Sequence, residues 1–342
     1  MSRRRLPGLW FVPIALAAAL LARWAVLRGV PLRLDHAPTA LGGGPELRGV
    51  YHVHSTRSDG RATPDEIALA AAKDGLDFVV VTDHNVPPLP PERRHGVLLV
   101  YGEEESTPSG HRVTLEGTGR RYVFWAHPLN RRVPWTDWGA EADGLEILSA
   151  DDMWRDALRP PWLTLGRALL DAPASPLYAT YDLLHRPAAA LARYDSLEAA
   201  RELRGGRFSP LCSVDAHGLP PYRVAFASLQ LHLPGLTAAA EPARAALSIA
   251  DALASGRFYC GLDGFRDASG LRLTRRAGLV HVELPAAGSA QAVVVCGGSA
   301  RAEGSPPVDL PAAPGCHLEI RLPALAARWP ATVGSWIYAA LP

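Results

Sequence analysis

The side chains best able to do chemistry lie between Tyr51 and Asn85. His52 and His54 are two residues apart, Asp59 sits in a Ser-Asp-Gly loop, and His84 closes an apolar run. Imidazole is a common ligand of Zn, Fe, Mn and Ni, and carboxylates extend that range toward harder cations. Residues of these types, brought to one point, would make a metal centre. That requires elements able to deliver them. If the segment ending at His54 is a strand, alternation puts His52 and His54 on one face. Thr63 and Glu66 have the spacing of a capping box, Pro64 fits the first helical position, and Gly75 ends the helix. Leu76–Val81 reads as a second buried strand, which delivers Thr82, Asp83 and His84 at its end. The stretch is a β-α-β unit with ligand-competent side chains after both strands, the end where barrel enzymes keep their chemistry.

The same arrangement recurs downstream. Val97–Tyr101 is an apolar run followed by Glu103, Glu104 and Glu105, and His111 opens the next strand. Arg121–Ala126 leads to His127-Pro128. Asp143–Ala150 is a strand pattern with Glu146 inside it, where a buried charge needs a partner and could orient a histidine. Leu211–Val214 ends in Asp215 and His217, again two residues apart.

HxH, SDG and TDHN in this order resemble the polymerase and histidinol phosphatase (PHP) family of metal-dependent phosphoesterases. The resemblance is nearest to the carbaryl-hydrolase-like metallohydrolase branch. It implies a distorted α/β barrel of the (β/α)7 type. It selects Glu104 from the three glutamates, through a Gly-x-Glu pattern, and adds His111 and His127. It also makes Asp215 and His217 a closing Asp-x-His ligand pair. The implied set is therefore His52, His54, Asp59, His84, Glu104, His111, His127, Asp215 and His217. That is enough for two or three divalent ions; mixed imidazole and carboxylate favours Mn, Zn or Fe. Water on such a cluster ionises near neutral pH, and the charge of the ions stabilises a developing oxyanion. Arg57 and Arg61 flank Asp59 as candidate phosphate contacts. Asp83 is either a partner of His84 or a structural loop acid.

Bulk properties bound the rest. The chain has 342 residues, 20% of them charged, with a net charge of +1, which gives no field for nucleic-acid binding. Residues 1–28 combine Arg3-Arg4-Arg5 with an uncharged run from Leu6 to Ala22. They are expected to be a transmembrane anchor, or else a cleaved signal peptide. Either would place the catalytic part outside the cytoplasm, membrane-anchored or secreted. Residues 29–47, with Gly42-Gly43-Gly44 and His36, read as a linker. The barrel is expected over 48–265, with a helical insertion at 151–207. A small β-sandwich-like domain is expected over 266–342, with His281 and His317 facing solvent. None of the four cysteines, Cys212, Cys260, Cys296 and Cys316, forms a CxxC pair. Cys296 and Cys316 could form a disulfide outside the cytoplasm, or all four could be small buried hydrophobes.

Three functions fit these residues. The first is a phosphoesterase acting on a small phosphoester. The second is a metallohydrolase of carboxyl or carbamate esters or amides. The third is a non-catalytic, membrane-tethered binding module, disfavoured because every matched position keeps a ligand-competent residue.

Overall fold

The computed structural model describes residues 11–28, 45–159, 162–285, 287–329 and 334–342. The expected linker, His36 included, falls outside them except at its end: the first strand, β1 (Glu46–Val53), begins before residue 48. The N-terminal apolar run does form a helix, α1 (Phe11–Arg28). Among the described residues, however, no helix is long and apolar enough to cross a membrane, so the expected anchor finds no support there. The part of the expected span before Phe11 lies outside the described residues.

The β-α-β unit is present. After β1 comes α2 (Pro64–Lys73), opened by the Thr63–Glu66 capping box with Pro64 in its first turn. Next is β2 (Phe78–Val81), parallel to β1. The proline-rich loop that follows contains a short strand. This is β3 (Glu92–Arg94), an edge strand that begins only after the prolines end. β4 (Val97–Tyr101) lies parallel to β2, and beyond Gly102 the chain continues into β5 (Glu103–Thr107). β6 (Gly110–Glu116) and β7 (Arg121–Trp125) then run back and forth antiparallel. β8 (Gly144–Ser149) and, after the insertion, β9 (Ser209–Ser213) restore parallel pairing.

The strands close on themselves. Past β9, Val214 N–H donates to the Tyr51 carbonyl at 3.1 Å and Ala216 N–H to that of His52 at 3.2 Å. The ring is thus β1, β2, β4 with β5, β6, β7, β8, β9 and back to β1. It departs from a (β/α)7 repeat at β5–β6–β7. The connections there are only a few residues long, which suffices for a hairpin but not for a helical crossover.

The insertion is helical: α3 (Ala150–Ala157), α4 (Leu163–Asp171), α5 (Pro176–Leu183) and α6 (Ala188–Glu202). Helix α1 is fastened to it. Arg23 makes two hydrogen bonds to Asp171 at 2.6 and 2.5 Å, and the Trp24 indole donates to the Leu170 carbonyl at 2.6 Å. Past β9 come a helix and a strand, α7 (Tyr222–Ser228) and β10 (Gln230–Pro234). These are followed by α8 (Pro242–Ala254) and β11 (Tyr259–Gly261).

Among the described residues, the regular elements of the C-terminal region are strands and one short helix. Its elements are β12 (Arg272–Arg276), β13 (Leu279–Glu283), β14 (Gln291–Cys296), β15 (Ser299–Gly304), β16 (Val308–Pro311), β17 (Cys316–Arg321), α9 (Pro323–Arg328) and β18 (Ser335–Ala340). β12, β13 and β16 form a small sheet of their own. The others join the barrel: β18 pairs with β11, so β15-β14-β17-β18-β11-β10-β1-β2-β4-β3 is one continuous sheet. An unpaired β11 edge would invite association, and β18 covers it. Disulfides link Cys212 to Cys260 and Cys296 to Cys316. His317 is buried, not solvent-facing, because α6 lies across β17; its Nδ1 is 2.6 Å from Asp195 Oδ1.

Candidate metal centre

The ring places its strand ends at one mouth, and the backbone there is unusual. His52, His127 and Asp215 all have positive φ, at 68°, 27° and 47°. Such conformations cost free energy in non-glycine residues and concentrate where a side chain must be aimed. His52 sits at the point where the β1–β2 register shifts. Simple alternation therefore does not carry the HxH pair. The bulge turns His52 inward and His54 follows the strand's end, leaving both fully buried with their rings 5.0 Å apart.

Glu104 stands at the middle. Its Oε2 is 2.9 Å from His52 Nε2 and 3.2 Å from both His54 Nε2 and His84 Nδ1. Its Oε1 is 2.9 Å from His111 Nδ1 and from His127 Nε2. Asp215 Oδ1 lies 3.2 Å from His54 Nε2 and 3.5 Å from His52 Nε2. On the outer side, exposed Asp59 reaches His217 Nε2 at 3.3 Å, His54 Nδ1 at 3.6 Å and His84 Nε2 at 4.0 Å. Three groups each offer ligand atoms within 4.8 Å of one another. They are His54, Asp59, His84 and His217; His52, His54, Glu104 and Asp215; and His84, Glu104 and His111. The structure thus brings together all nine residues expected from sequence, with His127 joining through Glu104.

Several of these atoms are buried without any hydrogen-bond partner: both ring nitrogens of His54, Nδ1 of His84 and of His127, and Oδ1 of Asp215. Unsatisfied buried polar atoms are expensive, and a divalent cation is the group that would satisfy imidazole nitrogen and carboxylate oxygen together. The donor set therefore fits metal. Charge coupling among the protein groups is strong. Burial opposes a charge on His52, yet Glu146, Glu104 and Asp215 raise its pKa well above the ordinary histidine value. Burial likewise opposes a charge on His54 and His127, but the neighbouring carboxylates push both up to about 9. Asp215 moves the opposite way: burial would raise it, but the surrounding histidines, His52 foremost, lower it.

Supporting residues fix the geometry. Glu146 Oε1 is 2.6 Å from His52 Nδ1, while its Oε2 accepts from His127 N–H and Ser213 Oγ, both at 2.8 Å. Asp83 does not touch His84 but orders the loop that carries Asp59. It accepts from Ser55 N–H at 2.8 Å and from the Ser55 and Ser58 hydroxyls at 2.7 Å. Tyr222 donates from its hydroxyl to the His54 carbonyl at 2.8 Å, a contact nothing in the motif spacing signalled.

The two arginines expected to meet phosphate are placed differently from the ligands. Arg57 is turned to the Pro87 carbonyl at 2.9 Å and lies 3.9 Å from Asp83, so it braces the loop. Arg61 is exposed, and its backbone N–H donates to the His217 carbonyl at 3.1 Å. A cavity of about 390 Å³ opens beside the cluster, with His127 and Glu146 among its lining residues and α3 along one wall. Asp152 faces it, is bonded by Asn130, and is pushed up to about 7, mainly by burial.

No protein-family model and no curated protein matches this chain. Among solved structures, it is similar to a two-domain protein containing a predicted PHP-like metal-dependent phosphoesterase from Bacteroides vulgatus ATCC 8482. The two are 12% identical, and the alignment covers 86% of this chain and 94% of that one, with a TM-score of 0.37.

Proposed function

We propose that this chain is a metal-dependent hydrolase whose substrate is a small phosphoester. The observation that supports it is the overlap of three ligand groups sharing His54, His84 and Glu104, which suits more than one cation. His52, His54, Glu104 and Asp215 would hold the buried ion, and His54, Asp59, His84 and His217 the outer one. His84, Glu104 and His111 could hold a third. When bound, such ions supply a water acidic enough to ionise near neutral pH and positive charge against a developing oxyanion.

The chain's own residues do the rest. Glu146 holds His52 and the His127 backbone in place, and Asp83 holds the loop of Asp59. In-line displacement at phosphorus favours a clamp of two or more cations. The protein, reconstituted with Mn, Zn or Fe, is expected to turn over aryl phosphates. Turnover of aryl carboxylate or carbamate esters instead would move the reading to the ester and amide hydrolases. Metal binding without turnover of either would leave a binding module.

We also propose an extracytoplasmic location, supported by the pairing of all four cysteines in disulfides. Thiol titration of denatured, unreduced protein from the native compartment is expected to find no free thiol. Four reactive thiols per chain would contradict it.

A further inference from the structure

The cavity beside the candidate metal centre is lined by His127 and Glu146 of that centre. Apolar Leu129, Ile147 and Met153 line it too, as do Arg131, Arg132, Arg155 and Arg159. Some of these arginines are spent. Arg155 is paired with Asp151 on the same helix, and Asp156 serves both Arg159 at 3.4 Å and Arg131 at 3.9 Å. One carboxylate shared by two guanidinium groups leaves positive charge over, and Arg132 is exposed with no ion pair among the described residues. Guanidinium groups recognise carboxylate and phosphate through paired N–H donors. The volume of about 390 Å³ suits a small organic ligand.

We propose that this cavity recognises a second anionic group on the substrate, joined to the scissile phosphoester by a short apolar arm. The proposal rests on the phosphoesterase reading, since it orients the ester toward the metal cluster. The insertion that supplies α3 thereby sets specificity: the arm packs against Leu129, Ile147 and Met153, and Arg132 with Arg159 meets the far anion. The shared chemistry is an oxyanion, and phosphate and carboxylate are its two sources.

The test is calorimetry on Mn-loaded protein with three non-hydrolysable probes: propylphosphonate, 3-phosphonopropionate and propane-1,3-diphosphonate. At least one of the doubly anionic probes is expected to bind about fivefold or more tighter than propylphosphonate. Whichever does so identifies carboxylate or phosphate as the preferred far group. In the double variant Arg132→Ala/Arg159→Ala the advantage is expected to fall below about twofold. It should persist in Arg301→Ala, a control for overall charge on a distant strand. An advantage below fivefold for both probes, or one that survives the double variant, overturns the inference. If aryl phosphates are still turned over in that case, the phosphoesterase reading stands and only the second subsite is lost. If none of the probes binds, the second subsite falls, and aryl phosphate turnover alone decides the phosphoesterase reading.

Discussion

At the residue scale, the site depends on one carboxylate. Glu104 lies 2.9–3.2 Å from nitrogens of His52, His54, His84, His111 and His127. Glu104→Gln keeps the shape but removes the charge that balances cations and histidines. It is expected to lower bound metal by at least one ion per chain and turnover by about 100-fold or more, with the circular-dichroism spectrum unchanged. Elemental analysis beside single-substrate kinetics checks this, and wild-type metal content would contradict it. His52, His54 and His84 were legible because a metal ligand must be a particular residue type at a strand end; the resemblance added Glu104, His111 and His127. The positive φ of His52, His127 and Asp215 was not, since nothing in HxH or DxH marks a bulge. Glu146 could be picked out as a charge needing a partner, but not which histidine it would hold.

At the element scale, the loop between β1 and α2 decides whether the outer ligands assemble. A side chain at Gly60 would place its Cβ 2.2 Å from the His54 carbonyl oxygen, so the loop carrying Asp59 must move. Gly60→Ala is therefore expected to weaken the outer group of His54, Asp59, His84 and His217 while the buried group survives. Metal titration should show one site weakened by about tenfold or more and the other unchanged. Equal affinities in variant and wild type would contradict the assignment.

A second element-scale device lies away from the candidate metal centre. His232 on β10 is buried between Glu46, at 2.7 Å, and Asp263, at 2.9 Å. Burial opposes its charge, yet the two acids raise its pKa to about 9, above the ordinary 6.5. A raised pKa contributes stability in full below pH 6.5 and loses it as pH climbs through about 9. The stability gap between wild type and His232→Gln, from denaturant midpoints, is expected to shrink by on the order of 1–3 kcal/mol between pH 6 and pH 9.5. A gap that does not change with pH would contradict this pairing.

At the scale of the whole molecule, sequence pattern placed β1, β2, β4, β7, β8 and β9 and the helical character of the insertion, but not β3, β15 or β16. It did not show that β18 pairs with β11 and makes one sheet of both regions, nor that α6 buries His317 against Asp195. Those are choices of partner across long sequence separations, and local periodicity carries no information about them. The antiparallel β5–β6–β7 passage was hidden for a similar reason: strand direction follows from connection length, while the resemblance pointed to a uniform repeat. The Arg23–Asp171 pairing of the N-terminal helix with the insertion is another such long-range choice of partner. What unites these scales is convergence of nine side chains from seven strand ends and loops on a common pocket. The most direct measurement is elemental analysis of the purified protein and of Asp215→Ala, each assayed for aryl phosphate turnover before and after chelation. Two or three divalent ions per wild-type chain, with metal and turnover lost together on chelation and in the variant, is the expected result. Wild-type protein with no bound divalent ion after reconstitution, or turnover indifferent to chelation and to Asp215→Ala, would contradict the metal centre itself.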